Sequence, residues 1–139
     1  MFKNNQTKKA FTLTEIMIVI IVIATLAVLV IPRYQTTVEH LRSREGVNIL
    51  IALFGAEREY FIDNNSFTED ISDLGIDIPT SVNFDPPTWC AAPGVCVFSG
   101  GSIRSKNAGY TLYINQDTAG ITCSGGPICK KMGYAVQVL

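Results

Sequence analysis

Hydrophobic residues fall into three regimes along this chain. From Ile16 to Ile31 (IMIVIIVIATLAVLVI) 16 consecutive residues carry no charge. No side of that stretch is polar, so it predicts a helix surrounded by apolar material rather than one lying on a core. With Phe11–Thr14 and part of the segment after Pro32 it reaches the ~20 residues needed to cross a bilayer. The β-branched residues do not oppose a helix there, because a membrane forces backbone hydrogen bonds to be made within the segment.

The second regime is amphipathic. Val47, Leu50, Ile51, Phe54, Phe61 and Ile62 recur at helical spacing, with Ile49, Leu53, Ala56 and Tyr60 beside them. Neither a proline nor a turn cluster interrupts the chain between Pro32 and Asn64. The prediction is one helix from about Thr12 to Ile62, ~75 Å long at 1.5 Å per residue. Pro32 removes one hydrogen bond and is expected to kink it. Gly46 and Gly55 soften it by up to ~1 kcal/mol each. An apolar arc this wide implies burial on two sides, one against the protein's own sheet and one against neighbouring copies. Arg42, Arg44, Glu45, Glu57, Arg58 and Glu59 make up the polar face, with Glu57 and Arg58 expected in solvent.

The third regime consists of short runs. Asn64-Asn65 stops the helix, and Ser66-Phe67-Thr68 and Asp70–Gly75 form a loop with a short turn. Val95–Ser99, Tyr110–Asn115, Gly120–Cys123 and Tyr134–Leu139 read as strands. Gly100-Gly101, Asn107-Ala108-Gly109, Asp117-Thr118 and Gly125-Gly126-Pro127 read as turns. The expected fold is α+β, a long N-terminal helix packed on a small antiparallel sheet of about four strands. The expected organisation is a leader at 1–10, a membrane-spanning helix at 11–32, its amphipathic continuation at 33–63, and a globular head at 64–139.

Charge sharpens the topology. Lys3, Lys8 and Lys9 precede the apolar run, and no acid lies among the first ten residues. Beyond Ala10 the chain holds 8 basic and 12 acidic residues. A basic leader before a span marks the cytoplasmic side, so the head is expected outside. A secretory signal would be cut after its apolar core. Here the small residue, Ala10, comes before it, so cleavage between Ala10 and Phe11 would leave the span on the mature protein. Arg33-Tyr34 beside Pro32 form an interfacial pair at the far boundary.

Glu15 breaks the apolar pattern. A carboxylate within a membrane span costs roughly 2–3 kcal/mol on insertion scales and marks a functional site. One reading has it snorkelling to the cytoplasmic interface. The other pairs it with a cation at membrane depth, the new α-amino group of Phe11 in a neighbouring copy.

Cys90, Cys96, Cys123 and Cys129 lie behind a membrane-targeting segment, which fits an oxidising compartment and two disulfides. Zinc competes weakly, since both spacings are C-x5-C and the sole histidine, His40, is remote. Local pairing, Cys90–Cys96 with Cys123–Cys129, is favoured; both crossed sets remain open. Neither a Ser/His/Asp order nor a phosphate-binding glycine loop is present, so the chain is read as a non-enzyme without cofactor or metal. Asp70, Asp73 and Asp77 lack the alternation and closing Glu of an EF-hand. Arg104, Lys106, Lys130 and Lys131, with Trp89 or Tyr110, are a weak candidate for DNA; scattered solvated cations account for them better.

The run Lys8-Lys9-Ala10-Phe11-Thr12-Leu13-Thr14-Glu15-Ile16-Met17-Ile18-Val19 resembles the cleavage and methylation segment of type IV prepilins and related pseudopilins. In that family Phe is usually the first mature residue, Glu the fifth, and a proline lies 21 residues after the start, as Pro32 does here. Ala10 stands where the family has Gly. The resemblance implies cutting by a prepilin peptidase, N-methylation of Phe11, and Glu15 pairing with an adjacent N-terminus. It also implies an inner-membrane precursor that polymerises into a helical surface filament through a motor ATPase and an inner-membrane platform. A type IV pilus subunit is the leading expectation. The alternatives are a pseudopilin of a type II secretion system and a minor pilin or DNA-uptake adhesin. Adhesion, motility, uptake and secretion are not separated by the sequence.

Overall fold

A computed structural model describes residues 11–91 and 99–136. The chain divides into two compact units, Met1–Gln35 and Thr36–Leu139. Helix α1 (Leu13–Asn64) contributes residues to both, and Pro32 lies within it.

In the first unit, α1 starts with a reciprocal cap. The Glu15 amide donates to Thr12 Oγ1 at 3.3 Å, while Glu15 Oε2 accepts from the Thr12 amide at 3.4 Å and the Thr12 hydroxyl at 3.2 Å. This is a capping box, Thr12-x-x-Glu15, in which each end of the motif satisfies a donor of the other. The Thr25 hydroxyl donates to the Val22 carbonyl at 2.8 Å, so the one hydroxyl of the apolar run is satisfied within its own helix.

In the second unit, the buried seam of α1 is narrower than its apolar arc. Ser43, Gly46, Leu50, Leu53 and Glu57 are buried, at spacings of three and four. Ile49 and Ala56 flank them. Ile51 and Ile62, expected on the buried arc, are exposed at 52% and 80%. Glu57, expected in solvent, has no accessible surface. Gly46 has a packing reason: a Cβ there would lie 2.9 Å from the Phe84 ring and 3.1 Å from Leu112. At the end of α1 Asn65 takes a left-handed φ of 56° and its amide bonds the Phe61 carbonyl at 2.8 Å, the stop read from Asn64-Asn65.

The loop then folds back along the helix. Phe67 stacks on Phe61 with centroids 4.6 Å apart. A 3-10 turn, Ile71–Leu74, is capped by the Asp70 carboxylate at its start and by Gly75, with φ 62°, at its end. Five strands follow in sequential order, β1 (Thr88–Cys90), β2 (Gly100–Arg104), β3 (Thr111–Asn115), β4 (Ile121–Ser124) and β5 (Ala135–Val136). Ile103, Leu112 and Cys123 stand side by side across β2, β3 and β4, all without exposure beyond 1%, and form the floor on which Leu50 and Leu53 pack.

Two features of the sheet depart from expectation. Gly100-Gly101 lies within β2, not in a turn. A Cβ at Gly101 would sit 3.0 Å from both Ile114 and Trp89, so the glycine makes room for the Trp89 ring. The sheet also has a parallel last pair, β4 with β5. A short helix, α2 (Pro127–Lys131), makes the crossover where only a turn was expected. Among the expected strands, Val95–Ser99 lies outside the described residues up to Phe98, and Tyr134–Leu139 does so beyond Val136.

Candidate functional site

The first candidate site is the start of α1. Glu15 sits in its first turn, and Thr12 precedes it. Phe11, the expected new N-terminus, is exposed; Ala10 lies outside the described residues. Thr12 was not singled out from the sequence, although the T-x-x-E signature ahead of an apolar run points to it. The cap places the Glu15 carboxylate 3.4 Å from the Thr12 amide, one residue from Phe11. After the cap comes Leu13–Ile31, 19 residues of mean hydropathy 2.9, none of them buried within the protein. This is one helix long and apolar enough to cross a membrane. A carboxylate at the mouth of such a helix is a charge that an apolar neighbourhood can meet only with a cation or with donors.

Residues 5–31 match the prokaryotic N-terminal methylation motif. The matched stretch contains the Ala10–Phe11 junction and Glu15. Three relatives extend the likeness further along the chain. It is 38% identical over 71 residues to fimbrial protein EcpC of Eikenella corrodens, covering 51% of this chain and 46% of that protein. It is 39% identical over 62 residues to the type II secretion system core protein G of Klebsiella pneumoniae, covering 45% and 44%. It is 30% identical over 77 residues to the type IV major pilin protein PilE1 of Neisseria gonorrhoeae, covering 55% and 47%. The chain thus spans about half the length of the curated relatives it matches. No solved structure matches it. The chain is homologous to pilins and pseudopilins over the matched part, and that part includes the helix long and apolar enough to cross a membrane.

The second candidate is the junction between α1 and the loop. Glu57 Oε2 accepts from the Thr68 amide at 3.3 Å, while its Oε1 is buried without a partner among the described residues. Burial pushes its carboxyl up to about 7, and the Thr68 hydrogen bond opposes that only partly. Thr68 in turn donates its hydroxyl to Asp73 Oδ2 at 3.1 Å and accepts from the Asp70 amide at 3.0 Å. Asp70 is held below the usual carboxylate range by the Ser72 hydroxyl and amide. The loop is therefore tied to α1 through one buried acid. Sequence reasoning placed Glu57 on the polar face together with its neighbour Arg58; the 3-4-3-4 spacing from Ser43 was the signal that it lies inward.

Elsewhere in the head, Tyr110 donates to Glu39 Oε1 at 3.2 Å, and burial followed by the Glu39 charge drives its hydroxyl well above the ordinary range. Glu45 is lowered by hydrogen bonds from Ser81 and Asn83. Cys123 and Cys129 are disulfide-bonded with Cα atoms 5.6 Å apart, which clamps α2 to β4. Cys90 is also disulfide-bonded, and Cys96 lies outside the described residues. Among the described residues no group of three or more His, Cys, Asp or Glu is placed to hold a metal ion.

The weak DNA reading loses its stacking partners. Trp89 and Tyr110 are core residues with 5% and 1% exposure. Lys106 is turned to the Ser81 carbonyl at 2.9 Å.

Proposed function

We propose that this chain is the structural subunit of a type IV pilus, cut between Ala10 and Phe11 by a prepilin peptidase, methylated on Phe11 and polymerised through α1. One observation carries the reading: an apolar helix segment left uncovered by the described residues has a carboxylate at its start, the fifth residue after the cut. In the precursor the bilayer covers that helix, with the head outside. In the polymer the same surface is covered by neighbouring helices, so apolar area never faces water. Glu15 meets the Phe11 amine of an adjacent copy. Pro32 bends α1 where it leaves the apolar environment. Extraction from the membrane requires work, which a motor ATPase and a membrane platform supply.

The similarity to the type II secretion system core protein G of Klebsiella pneumoniae, at 39% identity, favours a second reading as a secretion pseudopilin. Both readings use the same helix chemistry. They part on where the chain accumulates: mass spectrometry of sheared surface filaments finds it abundant, starting at methylated Phe11, if it builds a pilus. Its absence there, with loss of an exported protein on deletion, supports the pseudopilin.

Glu15→Ala tests the mechanism. The expected result is a chain retained in the membrane and missing from filaments. Normal filament yield with Glu15→Ala would remove the carboxylate from assembly.

A further inference from the structure

Opposite its buried seam, the second-unit part of α1 has an outer face. Arg44, Asn48, Ile51, Gly55 and Glu59 follow one another there at spacings of three and four, and all five are exposed. A glycine within a helix costs up to ~1 kcal/mol against alanine. Gly46 has the Phe84 ring against it, whereas a Cβ at Gly55 meets nothing within 4 Å, so its own chain supplies no packing reason for this glycine. The charges of the face are also unmatched. Its neighbours are committed: Arg42 pairs with Glu39, Glu45 accepts from Asn83, and Arg58 lies over the Phe54 ring. Arg44 and Glu59 have no ion-pair partner among the described residues. The face thus runs from a cation to an anion, with only Asn48, Ile51 and Gly55 between them.

The first unit carries the complement. Glu15 and Arg33 are 18 residues apart, and residues 16–32 between them carry no charge. Eighteen residues make about five turns, so both charges lie on one side of the helix, with Val22 and Leu26 on that side between them. All four are exposed. This side runs from an anion to a cation, the reverse order.

Laid alongside in the same direction, the two surfaces match. Glu15 falls against Arg44, Val22 against Ile51 and Leu26 against Gly55, each pair separated by 29 in residue number. The glycine leaves room for the leucine and lets the two helices approach closely. Arg33 then stands three residues, about 4.5 Å, past the level of Glu59, which an arginine side chain spans. Laid in the opposite direction, Glu15 would meet Glu59 and Arg33 would meet Arg44. The same direction is also the one that copies inserted in one membrane share. Both surfaces belong to one helix, α1, so the pairing requires a second copy.

We infer that the outer face 44–59 of one copy seats the segment 15–33 of a second, parallel copy, with Glu15 on Arg44, Leu26 over Gly55 and Arg33 on Glu59. The inference rests on the polymer reading and deepens it, by naming the surface of a neighbour that covers the apolar helix. A carboxylate has two oxygens, so Glu15 serves Arg44 of one neighbour and the Phe11 amine of another. Opposed charges of this kind fix register and direction more than raw affinity.

Cross-linking in sheared filaments tests the register. Full-length chains with Val22→Cys and Ile51→Cys, expressed together and oxidised, are expected to form a disulfide-linked dimer. Ile20→Cys, on the other side of the helix from Val22, should give roughly tenfold less when it replaces Val22→Cys. Charge exchange tests the ends. Glu59→Arg sets two arginines together and should lower filament yield roughly tenfold, and adding Arg33→Glu should restore it. Damage to the head by Glu59→Arg would not be reversed by a change in the first unit. Absence of the Val22–Ile51 link from filaments that the unaltered chain builds, a yield that Glu59→Arg leaves unchanged, or a loss that Arg33→Glu does not reverse overturns the seating and leaves the polymer reading standing. Absence of the unaltered chain from sheared filaments overturns both.

Discussion

Replacing Glu57 with Gln removes one charge from a fully buried position while keeping its shape. The Gln carbonyl oxygen can still accept from the Thr68 amide, and its amide group takes the place of the unpartnered Oε1. Protonated Glu57 makes the same demands, so Gln imitates the acid form. With the carboxyl raised from 4.5 to about 7 in the folded chain, the two states of the group diverge as pH rises. Below the unfolded value it is protonated both folded and unfolded and has no effect on stability. Stability is lost as pH climbs from there through about 7, because only the unfolded chain gives up the proton easily. Each pK unit is worth about 1.4 kcal/mol, which gives about 3 kcal/mol in full and about 2 after allowance for solvent screening. For a head of about 100 residues that is a melting-temperature difference of about 8–10 °C. Thermal unfolding of the full chain in detergent, followed by circular dichroism, measures it. Glu57→Gln should match the unaltered chain near about pH 4 and exceed it by that amount near about pH 8. Parallel pH profiles for the two chains would refute the argument, and would mean that the Glu57 charge is compensated.

Two glycines of one helix should respond oppositely to alanine. Gly55→Ala meets nothing within 4 Å and should stabilise the head by up to about 1 kcal/mol, whereas Gly46→Ala drives a methyl into Phe84 and Leu112 and should destabilise it by about 1–2 kcal/mol; denaturant unfolding separates the two signs. Cys123→Ala with Cys129→Ala opens a bridge of sequence separation 6 and should cost about 2 kcal/mol, read as a lower denaturation midpoint. Because that bridge clamps the crossover, faster amide exchange in β5 should accompany the loss.

What could be read from the chain divides along the range of the interactions responsible. Leu13–Ile31 was legible because the composition of a single window decides it, and the stop at Asn64-Asn65 because a left-handed residue and a side-chain cap act locally. β3 was legible from alternation, since Leu112 and Ile114 are buried while Thr111 and Tyr113 between them are not. Gly101 was misread because its role is fixed by the Trp89 ring on the next strand, twelve residues away. The parallel entry of β5 was hidden because five helical residues give too short a pattern to distinguish from a turn. Glu57 was placed in water because its burial depends on a loop that returns eleven residues later to cover it. For Gly101 and β5 the missed feature is a non-local contact that the intervening chain does not announce, whereas for Glu57 the spacing of three and four from Ser43 was the local signal.

Glu15 was legible as a charge out of place, but its local chemistry changes what must be explained. As the last residue of the capping box, three after Thr12, it already satisfies the Thr12 amide, a contribution of about 1 kcal/mol that needs no second copy. A pairing with the Phe11 amine of a neighbour has to exceed that. Two opposite charges about 4 Å apart interact by about 4 kcal/mol at an effective dielectric constant of about 20. On the proposed assembly the attraction of the amine outweighs the cap, and the cap holds the carboxylate until a neighbour arrives. Glu15→Gln separates the two roles, because Gln serves in a capping box but carries no charge. On the proposed assembly, Glu15→Gln leaves the membrane-held chain as helical as before and removes it from filaments almost as completely as Glu15→Ala. Filaments formed at normal yield by Glu15→Gln, together with their loss in Glu15→Ala, would show that the residue acts as a cap alone and that charge pairing has no part in polymerisation.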